Sequence, residues 1–380
     1  MEVNIDEVLE ICQEFLNVPS VVGGEKPLLN YLKKKAQKLG YNVDLNENFL
    51  HIKPNNNSSP KIIFSVHIDR QGFMLNNGRV EYASHYLKKE QGIPSQKEKI
   101  EPEEKKIYKK LEELEEVEVS LEKNSIRFNS EKLGIKNLKF ERKYNADFLE
   151  KMASRYTGEE IISYNGDGKR KDKFKILRYD LEPENGEIYF ELDKKLGKKD
   201  NIFMLNPELK NRDNKFWGQI DNAISVAGIF YLMENKSMNQ EVIFTIREEI
   251  GQSYKSILDF YEKKENGGEK LIVLDTSPYH SFKDKEDGFL VLRHGDERSG
   301  FDEDLIREIR KILDNGGVPY NFKPSHMGKT ELGKVSKETG GKINGATIQL
   351  PSLNYHTSYE TSTFESLKNY IKVIAHLASK

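Results

Sequence analysis

Apolar residues recur at helical spacing twice within the first forty positions. In "IDEVLEICQEFLNV", Val8, Ile11, Phe15 and Leu16 fall on one face. In "KPLLNYLKKKAQKLGY", Leu28, Leu29, Leu32 and Leu39 repeat the pattern, and Gly40 supplies a C-terminal stop. The period then shortens around 50–53 and 62–66, read as strands on either side of the turn-rich "PNNNSSP". From about 76 to 213 the texture turns polar. A charged helix is predicted in "KEKIEPEEKKIYKKLEELEEVEV", with Ile107, Leu111 and Leu114 as its only apolar stripe, followed by short strands in "SIRF", "FKILRY" and "EIYFEL". From 214 onward the long period returns. "NAISVAGIFYLMEN", "DEDLIREIRKILDN" and "STFESLKNYIKVIAHLA" read as helices, and "QEVIFTI", "KLIVLDT", "GFLVLRH" and "GATIQLP" as strands.

Apolar strands alternating with helices predict an α/β fold, a mixed sheet between two helical layers. The alternation is interrupted, so the expected organisation is one three-layer α/β/α domain in two parts, 1–75 and 214–380. An inserted, smaller β-rich domain with a helix occupies 76–213.

Composition narrows the function classes. Sixty basic residues nearly balance 62 acidic ones, for a formal net charge of −2, which gives no global reason to expect nucleic acid or an anionic membrane as partner. No apolar run reaches the roughly 18 residues of a membrane span. The first residues lack the basic region and apolar block of a signal peptide, so a cytoplasmic protein is expected. Cys12 is the single cysteine, which excludes an intrachain disulfide and a cysteine metal cluster. No phosphate-binding glycine loop or nucleophile elbow is present.

The candidate chemistry lies where buried strands end. In open α/β sheets ligands gather beyond the carboxyl ends of the strands. Here "KIIFSVHID" ends in His67 and Asp69, "EVIFTIREE" in Glu248 and Glu249, and "KLIVLD" in Asp275. One such ending is explained by a helix cap or a solvated loop, but three together are not. Strand alternation places Asp69 on the same side as His67, where a carboxylate can fix the imidazole tautomer. Gly72 fits a turn leading out of that strand. Asp221 in "WGQIDNAISVAG" stands where an N-cap would stand, and His356 follows a strand in "PSLNYHTSYET". Two histidines and three carboxylates, one of them shared, can hold two divalent ions about 3.5–4 Å apart. His51, His85 and His376 read as surface or packing residues, whereas His280, His294 and His326 follow strands or lie in loops that could line a pocket.

This ordered set resembles the co-catalytic di-metal aminopeptidases, the family of glutamyl aminopeptidase and the tetrahedral aminopeptidases. The matching pieces are "HID" at 67–69, Asp221 in "GQIDNA", "REEIG" at 247–251, "VLDT" at 273–276 and "YHTSYE" at 355–360. The 154-position gap from His67 to Asp221 is similar to that of family members carrying an inserted β-rich domain, which serves as a lid or in oligomerisation. The resemblance implies one ion on His67 and Asp275 and a second on Glu249 and His356, with Asp221 bridging. It makes Asp69 the residue that orients His67 and Glu248 the general base. It further implies zinc or cobalt, with manganese compatible with the ligands, a peptide or small amide substrate and a homo-oligomer.

Departures from the family pattern bear on specificity. Arg70 stands where a glutamate usually follows the His-x-Asp motif, so altered specificity is expected there first. Asn222-Ala223, Lys329-Thr330-Glu331-Leu332 and Leu353-Asn354 replace other family residues. Two alternatives therefore stand beside an aminopeptidase: a metal-dependent deacylase of small N-acyl compounds, and a retired peptidase scaffold used for binding or assembly.

Overall fold

The computed structural model describes residues 2–55, 61–91, 118–122, 125–131, 134–141, 146–165, 167–183, 186–197, 201–264, 269–282 and 287–380. The expected charged helix over 97–119 lies outside the described residues, apart from its last two positions, which open the strand Glu118–Glu122.

The main sheet has eight strands in the order Asn42–Leu45, Phe49–Lys53, Glu241–Thr245, Ile62–His67, Lys270–Pro278, Gly345–Ser352, Leu290–Leu292 and Tyr320–Phe322. The four from Glu241–Thr245 to Gly345–Ser352 run parallel, and antiparallel pairings flank them on both sides. All six residues of Ile62–His67 and all eight of Gly345–Ser352 are buried, as expected for parallel strands covered on both faces.

Pleat alternation sorts these strands into two faces. Phe244 stacks on Phe230 of the helix Ala223–Glu234, with centroids 5.8 Å apart. Ser65 and Thr245 point the other way, towards the helices Tyr254–Glu262 and Glu331–Glu338, and both hydroxyls donate to the buried Glu331 carboxylate at 2.8 and 2.9 Å. The helix Ala223–Glu234 is buried from Ala223 to Met233 because Ile5–Leu16 and Phe364–Ala378 cover the side that the sheet does not. A Cβ on Gly228 would lie 2.4 Å from Ile371 Cδ1, so glycine sets how closely those two helices approach. Burying each large aliphatic or aromatic side chain of this layer stabilises by about 1.5–3 kcal/mol. The three-layer mixed-sheet architecture is thus the one expected from the sequence.

The second body is a closed barrel of Arg170–Glu182, Glu187–Leu192, Arg79–Tyr82, Gly72–Asn76, Ile202–Leu205 and Glu160–Tyr164. Its core is an aromatic cluster in which Phe73 meets Tyr156 and Phe190 edge-on at 5.1 and 4.9 Å. Gly72 was expected in a turn but opens a barrel strand. A Cβ there would lie 2.5 Å from Val21 Cγ2 and 2.7 Å from the Phe203 carbonyl oxygen, so close chain approach requires the glycine. Glu118–Glu122, Ser125–Ser130 and Ile135–Glu141 form a separate three-stranded sheet. The helix Ala83–Glu90 leaves the barrel and packs on the short 3₁₀ turn Glu248–Ile250, bringing the barrel to the edge where the parallel strands end.

Candidate metal centre

His67 closes its strand, and the neighbouring parallel strand places Leu274 beside Val66, so Asp275 comes up next to the imidazole. His67 Nε2 lies 3.3 Å from Asp275 Oδ1 and 3.3 Å from Asp221 Oδ1. Its Nδ1 faces the Asp69 main-chain oxygen at 3.2 Å, with the Asp69 carboxylate at 3.7 Å. That carboxylate accepts from the backbone N–H groups of Glu248 (2.9 Å) and Glu249 (3.0 Å). Asp69 therefore joins the His67 strand end to the turn that carries both glutamates.

Glu249 and His356 form the other side. His356 Nε2 lies 3.3 Å from Glu249 Oε2 and 3.6 Å from Asp221 Oδ2. Both chain segments bend sharply here: Arg247, just before the glutamates, has φ +63°, and His356 itself has φ +65°. Residues with side chains pay strain in that region and need support from their surroundings. Glu360 supplies it, since its buried carboxylate accepts the His356 N–H at 2.6 Å and the Asp221 N–H at 2.8 Å. Tyr156 of the barrel donates to the His356 carbonyl oxygen at 3.2 Å, and the Tyr355 ring stacks on the imidazole at 4.0 Å.

Two groups of donor atoms result, His67 with Asp221 and Asp275, and Asp221 with Glu249 and His356. Within each group the donor atoms lie within 4.8 Å of one another, and Asp221 belongs to both. Neither Asp221 oxygen accepts a well-directed hydrogen bond, nor does Glu249 Oε1, although all three are buried. Buried carboxylate oxygens are costly without partners. Two lobes of imidazole and carboxylate converging on common points fit a pair of divalent cations.

The electrostatics agree with that geometry. Burial alone would lower the His67 pKa, but Asp221, Asp275 and Asp69 outweigh it and hold it well above the ordinary value. Burial would raise Asp221, yet the His356 and His67 rings hold it well below the carboxylate range. Burial, with Asp221 and Glu248 adding to it, pushes Glu249 well up. Glu248 is pushed up to about 8 by burial, lowered in part by His67 and raised by Asp275, Asp69 and Asp221. A carboxyl group balanced near neutrality in this position is suited to exchanging a proton.

All seven candidate residues from the sequence come together here. The other histidines do not: His280, His326 and His376 are exposed, and exposed His294 stacks on Phe322 at 3.9 Å. His85 is lowered to about 4 by burial. His51 has acidic company that the sequence did not suggest, pairing with Glu241 at 2.9 Å on the strand beside it.

Arg70 overturns the expectation attached to it. It points away from the centre, where Nε donates to Ser20 Oγ at 2.8 Å and the guanidinium to the Val18 carbonyl oxygen at 2.5 Å. The Phe15 and Leu16 carbonyls lie at 3.4–3.5 Å. A buried cation at the carbonyl end of Ile5–Leu16 satisfies the groups that a helix leaves open and meets its negative dipole end. Its role is helix capping.

Sequence reasoning passed over several supporting residues. Gln71 contacts Glu249, and Gln349 Nε2 donates to Asp275 Oδ2 at 3.2 Å while its own carbonyl accepts from the buried Arg293 at 2.9 Å. Glu360 lay within the quoted "YHTSYE", but its partners are backbone groups, which leave no trace in residue types.

Residues 199–373 match the sequence model of the family described as M42 glutamyl aminopeptidase. No curated protein matches the chain. Among solved structures, a TET aminopeptidase from a marine-sediment thaumarchaeote superposes with a TM-score of 0.66 at 12% identity, covering 100% of this chain and 97% of that one. An aminopeptidase from the archaeon Desulfurococcus kamchatkensis gives 0.65 at 12%, over 99% and 95% of the two chains. The TET1 peptidase of Pyrococcus horikoshii, which can assemble into a tetrahedron or a large octahedral shell, gives 0.62 at 14%, over 98% and 99%. At these identities the superpositions speak for the fold, and the family match adds sequence from the second part of the chain. In fold this chain is similar to the TET aminopeptidases along its whole length, and its sequence over residues 199–373 resembles the M42 glutamyl aminopeptidases, which supports a hydrolase of the aminopeptidase type.

Proposed function

We propose that the chain is a metal-dependent aminopeptidase with a two-ion centre. The single observation that carries this reading is Asp221, buried between two ligand groups with neither carboxylate oxygen hydrogen-bonded. His67 and Asp275 would hold one divalent ion, Glu249 and His356 the other, and Asp221 both. Zinc is the first choice, with cobalt or manganese compatible with mixed imidazole and carboxylate ligands. Such a pair supplies Lewis acidity that lowers the pKa of a water and polarises the scissile carbonyl.

The chain's own residues do the rest. Asp69 holds the Glu248 backbone at 2.9 Å and so fixes where the Glu248 carboxylate stands. Glu248 accepts the proton of the attacking water and returns it to the leaving amine. The segment 76–213 is read as an inserted lid- or oligomerisation-type domain, and a homo-oligomer as the working state. No helix among the described residues is long and apolar enough to cross a membrane.

A second reading, a deacylase of small N-acyl compounds, draws on two cations beside Asp275. Arg293 is buried, and Lys323, lowered to about 8 by burial and by Arg293, donates to Ser277 Oγ at 3.0 Å. Neither forms an ion pair among the described residues. A free carboxylate, as on an N-acyl amino acid or an acidic peptide, would complement them.

The test is elemental analysis of the reconstituted protein together with turnover of unblocked aminoacyl amides and of N-acyl amino acids. Two ions per chain and turnover of unblocked substrates are expected. Glu248→Gln should keep both ions and lose about 10²–10⁴ in rate. Full turnover by Glu248→Gln removes the assigned base, and turnover of N-acyl substrates alone selects the deacylase. Absence of both metal and hydrolysis leaves the binding scaffold.

A further inference from the structure

Gln71 stands where the chain leaves the central sheet for the barrel, two residues after Asp69 and one before the strand Gly72–Asn76. It is buried, and both polar atoms of its side chain and its main-chain oxygen are engaged. Its Nε2 donates to Glu249 Oε2 and lies 3.5 Å from His356 Nδ1. Its Oε1 accepts from the Tyr82 hydroxyl and, at 2.6 Å, from Ser84 Oγ. Its main-chain oxygen accepts from Gln219 Nε2 at 2.5 Å, two residues before Asp221.

The partners fix which way the amide faces. A carboxylate can only accept, whereas the two hydroxyls can serve either side, so the NH₂ must face Glu249 and the carbonyl must face Tyr82 and Ser84. The amide thereby engages one oxygen of Glu249 and leaves the other, Oε1, buried and free of hydrogen bonds. Among the described residues the Gln71 amide bonds neither His67 nor Asp275, which have the Asp69 main chain and Gln349 as partners instead.

We propose that Gln71 is the positioning residue of the Glu249–His356 half of the centre, transmitting to a single ligand the placement of Tyr82, at the end of a barrel strand, and of Ser84, in the helix that follows it. This rests on the two-ion reading above. Removing a partner that orients a ligand lowers metal affinity by about 10–100-fold. Here the loss falls on one ion, because only one half touches Gln71.

The experiment is a stepwise zinc titration of the metal-stripped, full-length protein against a competing chelator, with bound zinc counted and heat measured. Wild type should fill two steps. Gln71→Leu should weaken one by about 10–100-fold and leave the other within about threefold. Tyr82→Phe keeps the amide but removes one hydroxyl that holds it, so the same step should weaken by less than tenfold; it decides the matter if Gln71→Leu does not fold. Equal weakening of both steps, or of neither, in the folded variant overturns the assignment while the two-ion reading stands. Wild-type protein that takes up no zinc overturns that reading itself, and this assignment with it.

Discussion

The two halves of the candidate centre are built from different materials. His67 and Asp275 stand at the ends of adjacent parallel strands whose register is locked by backbone ladders and an apolar core. Glu249 and His356 stand on loops, one after left-handed Arg247 and the other left-handed itself. These loops keep their shape through long-range polar contacts from Asp69, Glu360, Gln71 and Tyr156. The first half inherits its geometry from the sheet. The second must be assembled from pieces that meet only in the folded chain, and two of those pieces, Gln71 and Tyr156, sit at or within the barrel.

The contrast can be broken or sharpened by substitution. Asp221→Ala removes the one ligand common to both halves, so the difference between them should vanish: both ions are lost and hydrolysis falls on the order of 10³-fold. Elemental analysis that still found one ion per chain would show the halves to be independent.

Arg70→Met should act through stability alone. It leaves Ser20 Oγ and several carbonyl oxygens without their donor, which costs about 1–3 kcal/mol in denaturant unfolding. Metal content and kcat/KM should stay within about twofold of wild type. A specificity change in a substrate panel would restore the role expected for it from the sequence.

The smallest effect is expected at Glu25, near Asp69 and Arg247. Burial and Asp69 raise this carboxyl from 4.5 to about 7, with the Gly23 and Glu25 backbone N–H groups and Arg247 opposing. Its folded pKa lies above its unfolded one, so it contributes stability in full below about pH 4.5 and loses it as pH rises through 7. Glu25→Gln should flatten that part of the profile, stabilising by roughly 1–2 kcal/mol at pH 8 and by little at pH 5. Parallel melting curves for the two proteins at both pH values would remove the group from the account.

Much of this was legible before folding. The apolar runs Ile62–Phe64 and Leu271–Leu274 announced buried parallel strands, and acidic or imidazole endings on such strands announced a site. The helices Ala83–Glu90 and Glu331–Glu338 were not anticipated, because polar residues such as Ser84 and Glu331 are buried in them and blur the amphipathic period. Gly72 misled in the same way, since a glycine required by close packing resembles one required by a turn. Arg70 was read from its neighbours in sequence, although alternation along an extended chain sends adjacent side chains to opposite sides.

The layer architecture, and the choice of the seven candidate residues, were readable from residue types and their spacing, because burial pattern and donor chemistry are properties of both. It took the packed chain to show that Glu360 ties the backbone of Asp221 to that of His356, that Arg70 caps a helix and that Gln71 reaches Glu249. Those contacts join positions 50 to 178 residues apart or rest on backbone atoms. Their geometry is set by how sheet, loops and barrel pack together, which no local pattern encodes.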